Sequence, residues 1–284
     1  MAKTTVFTLQ NVDDDCLGRS IRHASLKEAP SCTQVRNVLE SLASTCQTEY
    51  LDLTDALSDA DRCEAEEAGI GIIRSAPDSL WGRGTLDEME AEFDRQSEYV
   101  NKEEWSSIQQ RVIKLRMRWH LYIGNTAKPA DHSRDQAEVV SFDSMPLAKR
   151  WKDTIVSILQ SNGVGCPELT SSTNINYVDD RNSTGIGWHG DGERTVIVTL
   201  RLHSGSRNNV LCFHWMRNNV PVGRPVRITL DRGDAYIMSI KATGNDWKRT
   251  DLLTLQHAAG GFGCVPARVS TLQERSRKRK GRGA

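Results

Sequence analysis

The stretch Arg194-Thr195-Val196-Ile197-Val198-Thr199-Leu200-Arg201-Leu202 alternates residue by residue. Val196, Val198, Leu200 and Leu202 fall on one side, and Thr195, Ile197, Thr199 and Arg201 on the other. A period of two is that of a strand whose faces meet different surroundings. Downstream, apolar runs recur at 210–215, 226–230, 235–239, 252–257 and 268–272. Turn-rich segments separate them, among them Ser204-Gly205-Ser206-Arg207-Asn208-Asn209 and Asp231-Arg232-Gly233-Asp234. Strands this short and frequent predict a β-sandwich or barrel.

Upstream of that strand stands Gly185-Ile186-Gly187-Trp188-His189-Gly190-Asp191-Gly192-Glu193. On extended chain His189 and Asp191 point to the same side. An imidazole and a carboxylate side by side are two members of the facial triad that holds ferrous iron and leaves positions open for chemistry. A His-x-Asp pair alone is weak, since a solvated Asp in a surface turn gives the same pattern. The glycines at 185, 187, 190 and 192 add weight, because they allow close backbone approach. His257 is the preferred third ligand. His203 and His214 come too soon after Asp191 for the chain to double back around an ion. Arg268 follows a connection rich in Gly and Pro (Gly260, Gly261, Gly263, Pro266). Its guanidinium fork suits the carboxylate of a dicarboxylic co-substrate.

Asn176-Tyr177, the 185–193 segment, Arg232-Gly233-Asp234-Ala235-Tyr236-Ile237-Met238-Ser239, Leu255-Gln256-His257 and Ala267-Arg268-Val269-Ser270 belong together as a set. Over residues 145–275 the chain resembles the AlkB-type branch of the 2-oxoglutarate/Fe(II) dioxygenases. The resemblance implies a double-stranded β-helix (jelly-roll) core. It implies Fe(II) held by His189, Asp191 and His257, and 2-oxoglutarate held at its far carboxylate by Arg268. Asn176 and Tyr177 stand where the family places an Asn and a Tyr that touch the co-substrate. The family spaces that pair with one residue between, whereas here Asn174 and Asn176 both precede Tyr177. The family's second Arg, six positions after the first, falls on Glu274. Either a bulge brings Arg275 into that role or the role is missing. Trp188 is expected to line the pocket, and Glu193 to orient a ligand or contact substrate.

The implied chemistry consumes 2-oxoglutarate and O2, releases succinate and oxidises an unactivated C–H bond. A methyl group on nitrogen would then leave as formaldehyde, whereas one on carbon would become a stable alcohol. By family analogy the substrate is a methylated or alkylated base of DNA or RNA, presented unpaired or flipped. Two alternatives remain: the same chemistry on a protein side chain or small molecule, and an inactive nucleic-acid-binding module.

With 284 residues and a formal net charge of zero, the chain has room for one large domain, or for one domain with a substantial extension. Neutrality does not advertise a nucleic-acid partner, but charge is unevenly placed. Residues 52–67 are acidic. Arg111, Lys114, Arg116 and Arg118 are basic, which suits either a phosphate backbone or a solvated helix face. The end (Arg275, Arg277, Lys278, Arg279, Lys280, Arg282) is basic and reads as a disordered tail, serving as a nuclear address, a nucleic-acid contact or a solubilising segment. Trp188, Trp215 and Trp247 either stack on a base or fill core. Seven scattered cysteines without a CxxC argue against a zinc ribbon and a disulfide framework, and fit a reducing compartment. No signal-peptide core or membrane-length apolar run is visible, so a soluble intracellular protein is expected.

The predicted organisation is α+β. Residues 1–140 form a mainly helical N-terminal extension packed on the core, 141–275 the jelly-roll core, and 276–284 the tail. Helices are expected after a cap at Ser31 or Thr33, over 85–97, from about residue 101 with Ile108, Val112 and Leu115 inward, and from Met145-Pro146-Leu147 to about 160. Gly69–Ile73 reads as a short buried strand.

Overall fold

A computed structural model describes residues 3–19, 29–106, 109–115, 119–165, 169–177, 185–203 and 210–260. In chain order the strands are β1 (Lys3–Gln10), β2 (Thr48–Asp52), β3 (Gly69–Ile73), β4 (Glu103–Ser106), β5 (Arg111–Lys114), β6 (Trp119–Gly124) and β7 (Val139–Ser141). They continue with β8 (Thr170–Tyr177), β9 (Gly185–His189), β10 (Ile197–Arg201), β11 (Val210–Arg217), β12 (Val220–Thr229), β13 (Ala235–Met238) and β14 (Thr254–Gly260). The α-helices are α1 (Cys32–Leu42), α2 (Asp59–Arg62), α3 (Ala76–Trp81), α4 (Thr85–Arg95) and α5 (Pro146–Ser161). An eight-stranded sheet has the order β2-β3-β13-β10-β1-β8-β6-β7, a four-stranded sheet the order β12-β11-β14-β9, and β4-β5 stand apart as a hairpin. All pairings are antiparallel except β6 with β7.

The alternation of β10 explains the layering. Val198 and Leu200 join one core with Phe7 and Leu9 of β1, Val35 and Val38 of α1, Phe93 of α4, and Trp151 of α5. Ile197 joins a second core with Ile70 and Ile72 of β3, Phe213 and Trp215 of β11, and Leu255 of β14. One face of the large sheet therefore carries helices and the other packs on the small sheet. Each such side chain removed from water contributes about 1.5–3 kcal/mol, so burying both faces fixes the register of β10. From β8 onward the chain crosses repeatedly between the sheets: β8 large, β9 small, β10 large, β11 and β12 small, β13 large, β14 small.

The expected helices at α1, α4 and α5 are present. Ser31 caps α1 in a capping box with Gln34. Glu92 of α4, 1% exposed, accepts hydrogen bonds from Leu147 N and Ala148 N and so satisfies free donors in the first turn of α5.

The N-terminal half is nevertheless not mainly helical, and that expectation is corrected. β1, β2, β3, β6 and β7 all lie in the large sheet, and β1 is hydrogen-bonded on both edges, to β10 and to β8. The β-branched content of 3–10 is the physical reason: Thr4, Thr5, Val6 and Thr8 sit well on a pleated surface. The helix expected from residue 101 is instead the β4–β5 hairpin, with Trp105 opposite Val112 and Glu104 opposite Ile113. There the spacing of Val112 and Leu115 matched a helix, but Val112-Ile113 favours strand. Ile108, Arg116 and Arg118 lie outside the described residues. Among the described residues Cys16, Cys32, Cys46 and Cys63 are free. The strand expected at 268–272 and the tail at 276–284 also lie outside them. No described helix is long and apolar enough to cross a membrane.

Candidate metal centre

β9 and β14 pair antiparallel with His189 directly opposite His257. Directly opposed residues on one face approach closely, and these rings lie 4.3 Å apart, centroid to centroid. Asp191 follows two residues after His189, where its N–H donates to Thr243 O at 2.9 Å. Its Oδ2 lies 3.4 Å from His257 Nε2 and its Oδ1 3.7 Å from His189 Nε2. One ligand atom from each of His189, Asp191 and His257 can be chosen so that all lie within 4.8 Å of one another. The structure thus brings together the three residues expected from the sequence.

The residue between His189 and Asp191 has to be glycine. A Cβ on Gly190 would stand 2.2 Å from Gly244 O and 2.7 Å from Trp247 Cβ. Gly244 in turn has φ +67, and a Cβ there would meet Leu255 O at 2.3 Å. Backbone therefore packs on backbone from β14 through this turn to the His-Gly-Asp segment.

Protonation suits a metal. Burial opposes charge on His189 and the neighbouring His257 adds repulsion, so the His189 pKa falls to about 4 despite Asp191. The ring is neutral at neutral pH. Its Nδ1 lies 2.7 Å from Gly187 O and donates to it, which leaves the Nε2 lone pair for an ion. Burial would raise the Asp191 pKa, but the charge of Arg194 and the hydrogen bond and charge of His257 outweigh it, so the carboxyl stays well below its usual range. Among the described residues, His257 Nδ1 has no hydrogen-bond partner. Two imidazoles and an ionised carboxylate, converging with His189 half-buried and Asp191 and His257 buried, fit a divalent ion of the facial-triad type.

The other expected residues are placed as follows. The alternation that turns His189 inward sends Trp188 to the opposite face of the small sheet, where its ring packs on His214 at 5.9 Å between centroids. His214 is thereby directed away from the triad, and His203 sits instead 3.5 Å from Asp94 and 3.8 Å from Glu90. Glu193 is half-buried, its Oε1 4.0 Å from Arg194 Nε. The backbones of Asn176 and Tyr177 pair with Thr4 and Lys3 of β1; their side chains are outside the description. Asn174 is half-buried and pairs with Val6 on one side and His120 on the other. Arg268 and Arg275 lie outside the described residues. Trp215 is core, with its indole N–H donating to Leu53 O at 2.8 Å, while Trp247 packs against Gly190.

Sequence reasoning missed Arg194 and Gln10. Arg194 Nη2 donates to Asp191 Oδ1 at 2.7 Å, and Nη1 donates to Gln10 Oε1 at 2.6 Å. An acid three residues before a base was a visible signal for the first contact, whereas nothing local points to Gln10. Tyr236 was also missed as a site neighbour. It is hydrogen-bonded to Thr199 and close enough to Asp191, Arg194 and Arg201 for their charges to act on its hydroxyl, and burial pushes that hydroxyl's pKa up.

No family model matches the chain. Over 160 residues it is 33% identical to an uncharacterized protein, R156, of Acanthamoeba polyphaga mimivirus, a match that covers 55% of this chain and 59% of that protein.

Proposed function

We propose that the chain is an Fe(II)- and 2-oxoglutarate-dependent dioxygenase of AlkB-like type, acting on a methyl or alkyl group of a nucleobase in DNA or RNA. The observation that carries this reading is the cross-strand pair His189–His257 closed by Asp191, three ligand-bearing side chains converging on one point. The repeated crossing between sheets from β8 to β14 supports a jelly-roll core. When bound, iron supplies the site at which O2 and 2-oxoglutarate react, one oxygen atom going to succinate and the other to the substrate carbon, with CO2 released.

The protein's part is geometry. His189 and His257 present Nε2 from opposed strands, and Asp191 supplies the negative charge. The buried hydroxyl of Tyr236 and that of Thr199 give the large sheet a polar inner face beside the triad. Burial of Asp191, which is 3% exposed, limits water near the reacting atoms. Arg268 is the proposed anchor of the far carboxylate, with Asn176, Tyr177 and Arg275 as further co-substrate contacts. Arg111 and Lys114, exposed on the β5 arm of the hairpin, support a nucleic-acid substrate.

The test is an assay with Fe(II), 2-oxoglutarate and O2 over methylated DNA, RNA and nucleosides, following succinate, formaldehyde and hydroxylated base together. Succinate coupled to one substrate class is expected. Succinate coupled only to a peptide or small molecule would move the substrate, and none over the whole panel would favour the binding module.

A further inference from the structure

The two oxygens of Asp191 are engaged differently. Oδ1 accepts from Arg194 Nη2 at 2.7 Å, whereas Oδ2 is the oxygen facing His257 Nε2, at 3.4 Å. Arg194 is itself held: Nη1 donates to Gln10 Oε1 at 2.6 Å, and Gln10 is fully buried as the last residue of β1. β1 is paired on both edges, so Gln10 cannot drift with a loose edge. Asn11, next in the chain, fixes the other approach to Arg194. Its Oδ1 accepts from Thr195 N and Val196 N, each at 3.0 Å, and its Nδ2 donates to Thr195 Oγ1 at 3.0 Å. The guanidinium is therefore clamped between the central strand of the large sheet and the carboxylate that completes the triad on the small one.

We propose that Arg194, anchored by Gln10, is a positioning residue of the metal centre: it reserves Asp191 Oδ1 and so makes Asp191 a one-oxygen ligand through Oδ2. This rests on the metal-centre reading above. A charge-assisted guanidinium bond at 2.7 Å is strong and directional, and an oxygen so engaged is withdrawn from chelation. A carboxylate bound through one oxygen leaves the ion one more open position than a chelating one. A keto acid that binds through two atoms and still admits O2 needs that position. The N-terminal strand thus belongs to the metal centre, although it contributes no ligand.

The experiment uses the full chain with Co(II) as probe, measuring the dissociation constant and the visible absorption envelope, with melting of the metal-free protein alongside. Arg194→Met should weaken Co(II) binding by about 10- to 100-fold, the usual range for outer-sphere partners, and change the absorption envelope as Asp191 turns to two-oxygen ligation. Arg194→Lys should recover much of the affinity, and Gln10→Leu should fall between. Wild-type affinity and an unchanged envelope in Arg194→Met would overturn the proposal. So would Met and Lys variants that lose affinity only in step with melting temperature. If Arg194→Met does not fold, the Lys and Leu variants decide, and wild-type behaviour in both rejects the idea. Failure of the unmutated chain to bind Co(II) at all would instead bring down the metal-centre reading, and this inference with it.

Discussion

The carbonyl oxygen of Gly244 occupies the space a side chain at Gly190 would need: a Cβ built there stands 2.2 Å away. The atom in the way is backbone, so neither partner can turn aside. Gly190→Ala should therefore cost stability, by about 1–3 kcal/mol on the scale of overpacked sites. It should also spread His189 from Asp191 and weaken Mn(II) or Co(II) binding. A thermal melt paired with a metal titration checks this, and an alanine variant matching wild type in both would contradict the packing described.

Removing ligands should separate chemistry from stability. His189→Ala and Asp191→Ala are both expected to abolish the proposed 2-oxoglutarate turnover, yet not to be equally stable. Without Asp191 the guanidinium of Arg194, whose side chain is 16% exposed, loses its nearest charged partner and keeps Glu193 at 4.0 Å. Stranding a buried charge costs up to about 3–5 kcal/mol, less here because part of the group reaches water. Asp191→Ala should melt well below His189→Ala. Equal melting temperatures would mean that the Arg194 pair contributes little, and activity in either variant would remove the ligand assignment.

Acid should destabilise the metal-free protein over a defined window. The pKa values of His189 and His203 are both lowered to about 4, first by burial, then by the neighbouring His257 in one case and by Lys3 and Arg232 in the other. Their unfolded pKa is about 6.5, so between about pH 6.5 and 4 the unfolded chain binds more protons. Stability present above pH 6.5 is lost as pH falls through that range, in smaller measure at His203, whose ring has the carboxylates of Asp94 and Glu90 close by. Urea titrations at pH 7, 6 and 5 measure it. His203→Gln should flatten the slope while leaving metal binding at neutral pH unchanged; a variant as steep as wild type would refute the burial argument.

Glu92 offers a control remote from the metal. Its carboxylate caps α5 from within the helical layer, through Leu147 N and Ala148 N. Glu92→Ala should lower stability by about 0.5–2 kcal/mol, as lost caps do, with Glu92→Gln milder. Co(II) affinity should stay at the wild-type value. A Glu92→Ala protein that folds normally but binds Co(II) poorly would show the helical layer and the metal centre to be coupled.

The legible parts of this molecule were those whose signal is local. His189 and Asp191 announce themselves by spacing, and β10 by alternation. α1 shows a capping box, and α1, α4 and α5 show apolar stripes. The illegible parts depend on partners distant in the chain. Nothing within 3–10 tells β1 that it lies between β8 and β10, because strand pairing is set by the whole sheet and not by propensity. Gln10 meets Arg194 across 184 positions of sequence, with no local pattern to connect them. The β4–β5 hairpin was misread because an apolar residue every three or four positions serves a helix and a twisted ribbon alike, and only the β-branched pair Val112-Ile113 distinguishes them.

The central place of β1 also sets an order of events at the ribosome. Its residues emerge well before both of their neighbours, β8 and β10, which follow much later in the chain. Until those are made, Phe7 and Leu9 have no finished core and both edges of the strand lack pairing partners. Such long-range closure slows folding and exposes a nascent chain to aggregation. Synthesis in cells short of holding chaperones should therefore divert more of the chain to inclusion bodies.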